Sequence, residues 1–165
     1  MEPEIDYAEP GPLTGLEGFA PEVLEGIGDD PVQVCMPVHL LVVQPDAARE
    51  LGLAEARLSE CNLRPAARIL GTLLTLNPAP VGAGRPTGQR VVGTCRHFAL
   101  LSCALLRYRG IAARVRCGFA TYFQASQGLD HWITAVCPVL WLTRQGECLA
   151  GRLRCWRSGW RRRTG

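Results

Sequence analysis

The chain has 165 residues, of which 47% are hydrophobic and 20% are charged, and these proportions exclude a disordered chain and fit one globular domain. No apolar run reaches the roughly 20 residues of a membrane span, and the acidic N-terminus carries no basic-then-apolar leader. We therefore expect a cytoplasmic protein without membrane association. The net charge of +3 conceals an asymmetry, since most acids lie in residues 1–60 and seven arginines lie in the last thirty residues.

The eight cysteines do not indicate a disulfide framework, because the chain is long enough to form a core without one. No C-x-x-C pair is present, which argues against a zinc ribbon or a thioredoxin-type site. Neither a cofactor nor a metal is expected.

Residues 1–21 are rich in Pro, Gly and Glu, and residues 1–30 are predicted to form an extended lead-in. Asp30 and Pro31 are typical of a helix start. The apolar run after them contains Pro37, which leaves a kinked helix and an edge strand open, with the helix favoured. The apolar residues of the stretch up to 76 recur at helical spacing, namely Ile69, Leu70, Leu73, Leu74 and Leu76. Residues 77–89 then predict a flexible connector.

A further helix is predicted from Cys95 to about Arg109, with Gly110 as its C-terminal cap. Apolar residues alternate with polar ones over 113–119, which predicts a strand. The next segment, YFQASQGLD at 122–130, is predicted as a loop, and HWITAV as a strand that begins at His131.

Cys95 is predicted to lie at a helix start. A thiolate is favoured there, because free N–H groups and the helix dipole attract negative charge.

Two segments, GTCRHFALLSCALLRYRGIAARVRCGF and DHWITAV, resemble the core of the transglutaminase-like superfamily of papain-type cysteine acyl-transfer proteins. The sequence of these segments is most similar to bacterial transglutaminase-like proteins of unassigned substrate. The motif-bearing resemblance spans 89–135, a looser similarity extends upstream to about residue 30, and residues 137–165 follow no family pattern that we recognise.

The resemblance implies an α+β fold with a papain-like core. N-terminal helices would surround a central Cys-bearing helix packed on a small antiparallel sheet that is incomplete at the C-terminus. The transglutaminase-like domain would cover 31–136, divided into a helical part (31–76), the connector (77–89) and a catalytic core (90–136). Residues 137–165 would form an atypical tail.

The resemblance also implies the site residues. Cys95 would be the nucleophile and His131 its base. Gln89, six residues before Cys95, has the offset of the glutamine oxyanion donor in papain-like enzymes. The family acid on the following strand has no Asp counterpart here, and Glu147 is the one carboxylate that could substitute. His97 is two residues from Cys95 on the helix and is assigned a structural role.

Residues 137–165 are dense in Arg, Trp, Cys and Gly, and three interpretations stay open. The segment could bind nucleic acid, form a surface strand-and-turn extension, or result from a reading-frame change near residue 135, which we favour. The functional hypothesis is thiol acyl transfer or amide hydrolysis on a peptide or amide substrate. The alternatives are an impaired or truncated non-enzymatic domain and nucleic-acid binding through the tail, although nucleic acid is not the expected partner.

Overall fold

A computed structural model describes residues 6–124, 127–136 and 140–142, in which helices precede a small sheet. The α-helices are α1 (Pro31–Cys35), α2 (Pro45–Glu50), α3 (Ala66–Leu76) and α4 (Cys95–Tyr108). Short 3-10 helices lie at Pro21–Leu24, Met36–Leu40, Glu55–Asn62, Val81–Ala83 and Thr87–Gln89. The strands are β1 (Val42–Val43), β2 (Val91–Val92), β3 (Ala113–Gln124), β4 (Gln127–Val136) and β5 (Leu140–Leu142). The fold is α+β, as predicted.

The first α-helix begins as the sequence indicates. Asp30 Oδ1 accepts hydrogen bonds from the N–H groups of Val32 and Gln33, at 2.9 and 3.1 Å. The α-helix changes to a 3-10 helix at Met36, because Pro37 has no N–H with which to continue the α-helical pattern. The helix alternative is therefore correct up to Leu40, and the strand alternative applies only to β1.

The hydrophobic core lies between α3 and α4. Their deeply buried side chains include Ile69, Leu70, Leu73, Leu101, Leu105 and Leu106, each at most 1% exposed. Burying one such side chain contributes roughly 2 kcal/mol to stability, so the core fixes the position of α4 and of the residue at its start. Gly110 adopts φ 70° and ends α4, which confirms the predicted cap.

The main sheet has the order β3-β4-β5 and is antiparallel throughout. The register of β3 and β4 pairs Ala113 with Val136 and Gly118 with His131. The middle strand, β4, packs on α4, and Thr134 Oγ1 donates a hydrogen bond of 2.9 Å to the carbonyl of Ala99. Strand β5 lies within the atypical tail, so a strand does follow β4 in the sheet.

Two predictions for this hairpin are wrong. The expected loop at 122–130 is mostly strand, because β3 runs to Gln124 and β4 begins at Gln127. His131 therefore lies inside β4 and does not open it. Backbone pairing explains the difference, since Gln124 pairs with Gln127 and Ala120 with Leu129 across an irregular register that polar side-chain composition does not reveal.

A second, two-stranded parallel sheet joins the N-terminal half of the chain to the residues before α4. Val42 and Val43 pair with Val91 and Val92, and the Gly93 N–H donates to the Val43 carbonyl at 2.8 Å. The chain therefore enters α4 from a fixed point. Among the described residues, no helix has both the length and the apolar character needed to cross a membrane.

Candidate active site

Cys95 is the first residue of α4 and is partly exposed. Thr94 precedes it as the N-cap and forms a capping box, in which its side chain accepts from the His97 N–H and its own N–H donates to His97 Nδ1. Throughout the described part of the chain, the N–H groups of Cys95 and Arg96 have no hydrogen-bond acceptor. The sulfur therefore lies where two free donors and the positive end of the helix dipole converge.

His97 stabilises this helix start and is fully buried. Its Nδ1 accepts from the Thr94 N–H at 3.1 Å, so the proton is on Nε2, which donates to the Glu60 carbonyl at 3.2 Å. Burial lowers the pKa of His97 to about 4, against weaker opposing effects of the Glu60 hydrogen bond. The imidazole is therefore neutral at physiological pH, and its contacts agree with the structural role predicted for it.

A partly buried ion pair fixes the segment before Cys95, and the sequence reasoning missed it. Arg57 binds the Glu60 carboxylate through Nε at 2.8 Å and through Nη2 at 3.1 Å. Glu60 Oε2 also accepts from the Val92 N–H at 2.7 Å, while Arg57 donates to the carbonyls of Gly88 and Arg90. The i, i+3 spacing of Arg57 and Glu60 is the only sequence signal for this pair, because its other partners are about thirty residues away in the chain.

His131 lies in β4 opposite Gly118 and is 8% exposed. Strand alternation gives His131 the face opposite to Asp130 and Thr134. Thr134 contacts α4 directly, and the charge of the exposed Asp130 acts on Arg96 in the first turn of α4. These contacts bring the second half of β4 close to the first two turns of α4 but do not fix the direction of the imidazole, so the Cys95–His131 pair stays a prediction.

The two other predicted site residues are also untested. Gln89 is exposed at the end of the Thr87–Gln89 helix, and its Oε1 accepts from Asn77 Nδ2 at 2.6 Å. This contact holds the carbonyl end of the Gln89 amide, while its NH2 group has no partner among the described residues. Glu147 lies outside the described residues.

The remaining described cysteines have different surroundings from Cys95. Burial raises the pKa of Cys35 to about 12 and also raises the pKa of Cys103 and of Cys61, whereas Cys117 is exposed on β3. None of the five forms a disulfide. No group of three or more His, Cys, Asp or Glu residues in the described ranges could hold a metal ion.

Residues 80–147 match a family model described as the transglutaminase-like superfamily. No curated protein and no solved structure matches the chain. The match includes Cys95 and His131, and it runs past the expected limit at residue 135, so our statement that the family pattern stops there is wrong for residues 137–147. The looser similarity upstream of the connector lies outside the match. Residues 80–147 are therefore similar to the transglutaminase-like superfamily, over less than half of the chain.

Proposed function

We propose that the protein carries out thiol acyl transfer or amide hydrolysis with Cys95 as the nucleophile and His131 as its general base. The observation that carries the proposal is the position of Cys95. Its sulfur is the only cysteine sulfur in the described ranges that combines partial exposure with the start of a helix and two free N–H groups. The rigid core around α4 holds this position, which suits a nucleophile that must meet its substrate in one geometry.

The reaction begins when the Cys95 thiolate attacks the carbonyl carbon of the substrate. A sulfur–carbon bond forms, and the carbonyl oxygen takes up the negative charge. The free N–H groups at the start of α4 are suited to stabilise that oxyanion. The imidazolium of His131 gives its proton to the leaving amine, which departs as the carbon–nitrogen bond breaks. Water or a second amine then attacks the thioester and releases the thiolate, with His131 accepting the proton.

Two further residues complete the proposed site. Glu147 is the single acidic residue after His131 in the sequence, and we assign it the role of holding the imidazole. Gln89 would act as an additional oxyanion donor through its NH2 group, since Asn77 holds the other end of the amide. Substitution Glu147→Gln would remove the charge that orients the imidazole, while Gln89→Ala would remove one donor.

Acylation by p-nitrophenyl acetate tests the proposal on the full chain. We expect acetyl groups to accumulate on Cys95 first, as shown by peptide mapping, and the Cys95→Ala variant to lose the early burst of p-nitrophenol. Cys117→Ala is the matched control, because Cys117 is exposed but lies on a strand. Hydroxylamine would distinguish water from an amine as acceptor. Equal acetylation of Cys95 and Cys117 would overturn the proposal and favour the non-enzymatic alternative.

A further inference from the structure

The imidazole of His97 contacts the two residues directly before Cys95. Its Nδ1 accepts a hydrogen bond from the Thr94 N–H at 3.1 Å. The ring also lies against the backbone of Gly93, because a Cβ built on Gly93 would be 2.6 Å from His97 Cγ. The Gly93 N–H in turn donates to the Val43 carbonyl at 2.8 Å. The segment that leads into the proposed nucleophile is therefore held between β1 and a fully buried ring.

Both nitrogens of this ring are used in the neutral form. Nδ1 accepts from the Thr94 N–H, and Nε2 carries the proton that it donates to the Glu60 carbonyl at 3.2 Å. A second proton would turn Nδ1 into a donor that faces the Thr94 N–H, and two donors cannot form a hydrogen bond. Protonation of His97 therefore breaks its contact with the residue before Cys95.

The surroundings of the ring favour its neutral form. Burial lowers the pKa of His97 to about 4, the charges of Arg96 and Arg64 act in the same direction, and the Glu60 carbonyl and carboxylate oppose them. The Glu60 carboxylate is bound by Arg57 and by a backbone N–H. The charged and titratable groups on the Glu55–Asn62 helix and in the first turn of α4 are Glu55, Arg57, Glu60, Cys61, Cys95 and Arg96. The second proton therefore binds only in acid.

We propose that His97 is a positioning residue whose neutral imidazole holds the segment before Cys95 in the reactive geometry, and that protonation releases this segment and lowers the reactivity of the thiol. The inference rests on the proposed function of Cys95. The main chain at Thr94 sets the direction of the sulfur and of the free Cys95 N–H, so a shift of Thr94 alters both. A misplacement of about 1 Å can lower a reaction rate roughly 100-fold.

The variant His97→Gln separates the hydrogen bond from the charge. Glutamine at this position of a capping box accepts the N–H of the capping residue but does not titrate. The measurement is the rate constant for alkylation of Cys95 by iodoacetamide between neutral and acid pH, obtained by peptide mapping of the full chain. Because both proteins share the Cys95 and His131 titrations, the ratio of their rate constants reports the state of His97.

We expect the two rate constants to agree within about twofold at neutral pH, because both side chains accept from the Thr94 N–H. The wild-type rate constant should then fall to about half that of His97→Gln at a pH of about 4, and to roughly a quarter half a pH unit lower. A ratio that stays constant with pH, with Cys95 still reacting faster than the exposed Cys117, would overturn the inference alone. Alkylation of Cys95 no faster than that of Cys117 at neutral pH would instead overturn the proposed function.

A second measurement needs no variant. In proton–nitrogen correlation NMR spectra of the wild type, the Thr94 amide should shift with the same midpoint as the His97 ring, while the Gly71 amide in α3 should not. Circular dichroism at each pH follows the helices. A Thr94 amide that does not respond to the His97 titration would overturn the inference. Loss of the helical signal at the same midpoint would also overturn it, because the proton would then unfold the chain instead of releasing one segment.

Discussion

Cys95 and Cys103 lie on the same helix, eight residues apart, but differ in how available their thiols are for reaction. Cys103 is 1% exposed in the middle of α4, and burial raises its pKa. Cys95 is partly exposed at the end where the first N–H groups are free. The comparison teaches that position along the helix, and not residue type, decides which thiol is available for chemistry.

The two regions are also held in place by different interactions. The middle of α4 is fixed by packing against α3 and the sheet. The start of α4 is fixed from outside, through the capping box of Thr94 and His97 and through the Arg57–Glu60 pair. Substitutions at these points should therefore disturb one region while sparing the other.

The largest expected effect is that of Glu60→Ala, which breaks the contacts that fix the entry to α4. Removing the carboxylate leaves the Arg57 guanidinium largely buried without a counter-charge and the Val92 N–H without its acceptor, so we expect a loss of roughly 3 to 4 kcal/mol in the free energy of unfolding. Urea denaturation of the full chain measures it. Asp46→Ala is the control, because the Arg49–Asp46 pair is exposed and its loss should cost less than about 0.5 kcal/mol. Equal losses would contradict the account.

Acidification should weaken the same region through His97. The pKa of His97 is about 4 in the folded chain and 6.5 when unfolded, so on acidification the unfolded state binds the proton first. Its contribution to stability is complete above pH 6.5 and is lost as the pH falls from 6.5 to 4, by about 3 kcal/mol in total. The difference in the free energy of unfolding between the wild type and His97→Gln should therefore be smaller at low pH than at neutral pH. If the free energies of unfolding of the two proteins changed with pH in parallel, protonation of His97 would not contribute to the pH dependence of stability.

A smaller loss is expected from Gly93→Ala. A Cβ at this position would lie 2.6 Å from His97 Cγ, so the imidazole that caps α4 would have to move, at a cost of about 2 kcal/mol. Gly71→Ala in α3 is the matched control. Nothing lies within 4 Å of a Cβ at Gly71, and alanine in a helix interior should stabilise by about 0.5 to 1 kcal/mol. Thermal denaturation of the pair should give shifts of opposite sign, and shifts of the same sign would count against the packing described around His97.

The smallest effect compares the two cysteines directly. Cys103→Ser places a hydroxyl in the sealed middle of α4 and should cost about 1.5 kcal/mol. Cys95→Ser should cost less than about 0.5 kcal/mol, because the first residue of the helix is partly exposed. Denaturation in urea checks both variants. A Cys95→Ser loss as large as that of Cys103→Ser would mean that the sulfur is part of the core.

The helices that carry the site could be predicted from the sequence, because Ile69, Leu70 and Leu73 recur at helical spacing and Gly110 marks the end of the helix that Cys95 begins. The hairpin could not, since its pairing beyond Ala120 depends on backbone hydrogen bonds between segments of loop-like composition. The contacts of Glu60 could not be predicted for a related reason. They join residues about thirty positions apart, and a local sequence pattern does not indicate which distant backbone group a side chain or carbonyl will bind.

The central claim is that Cys95 and His131 form one titrating pair. Ring-proton NMR titration of His131 in the wild type and in Cys95→Ala tests it most directly, and the chain has only three histidines to assign. A thiolate beside the imidazole favours the imidazolium, so removing the sulfur should lower the His131 titration midpoint by about one pH unit or more. An identical midpoint in the two proteins would show that Cys95 and His131 do not titrate as a pair, which contradicts the claim.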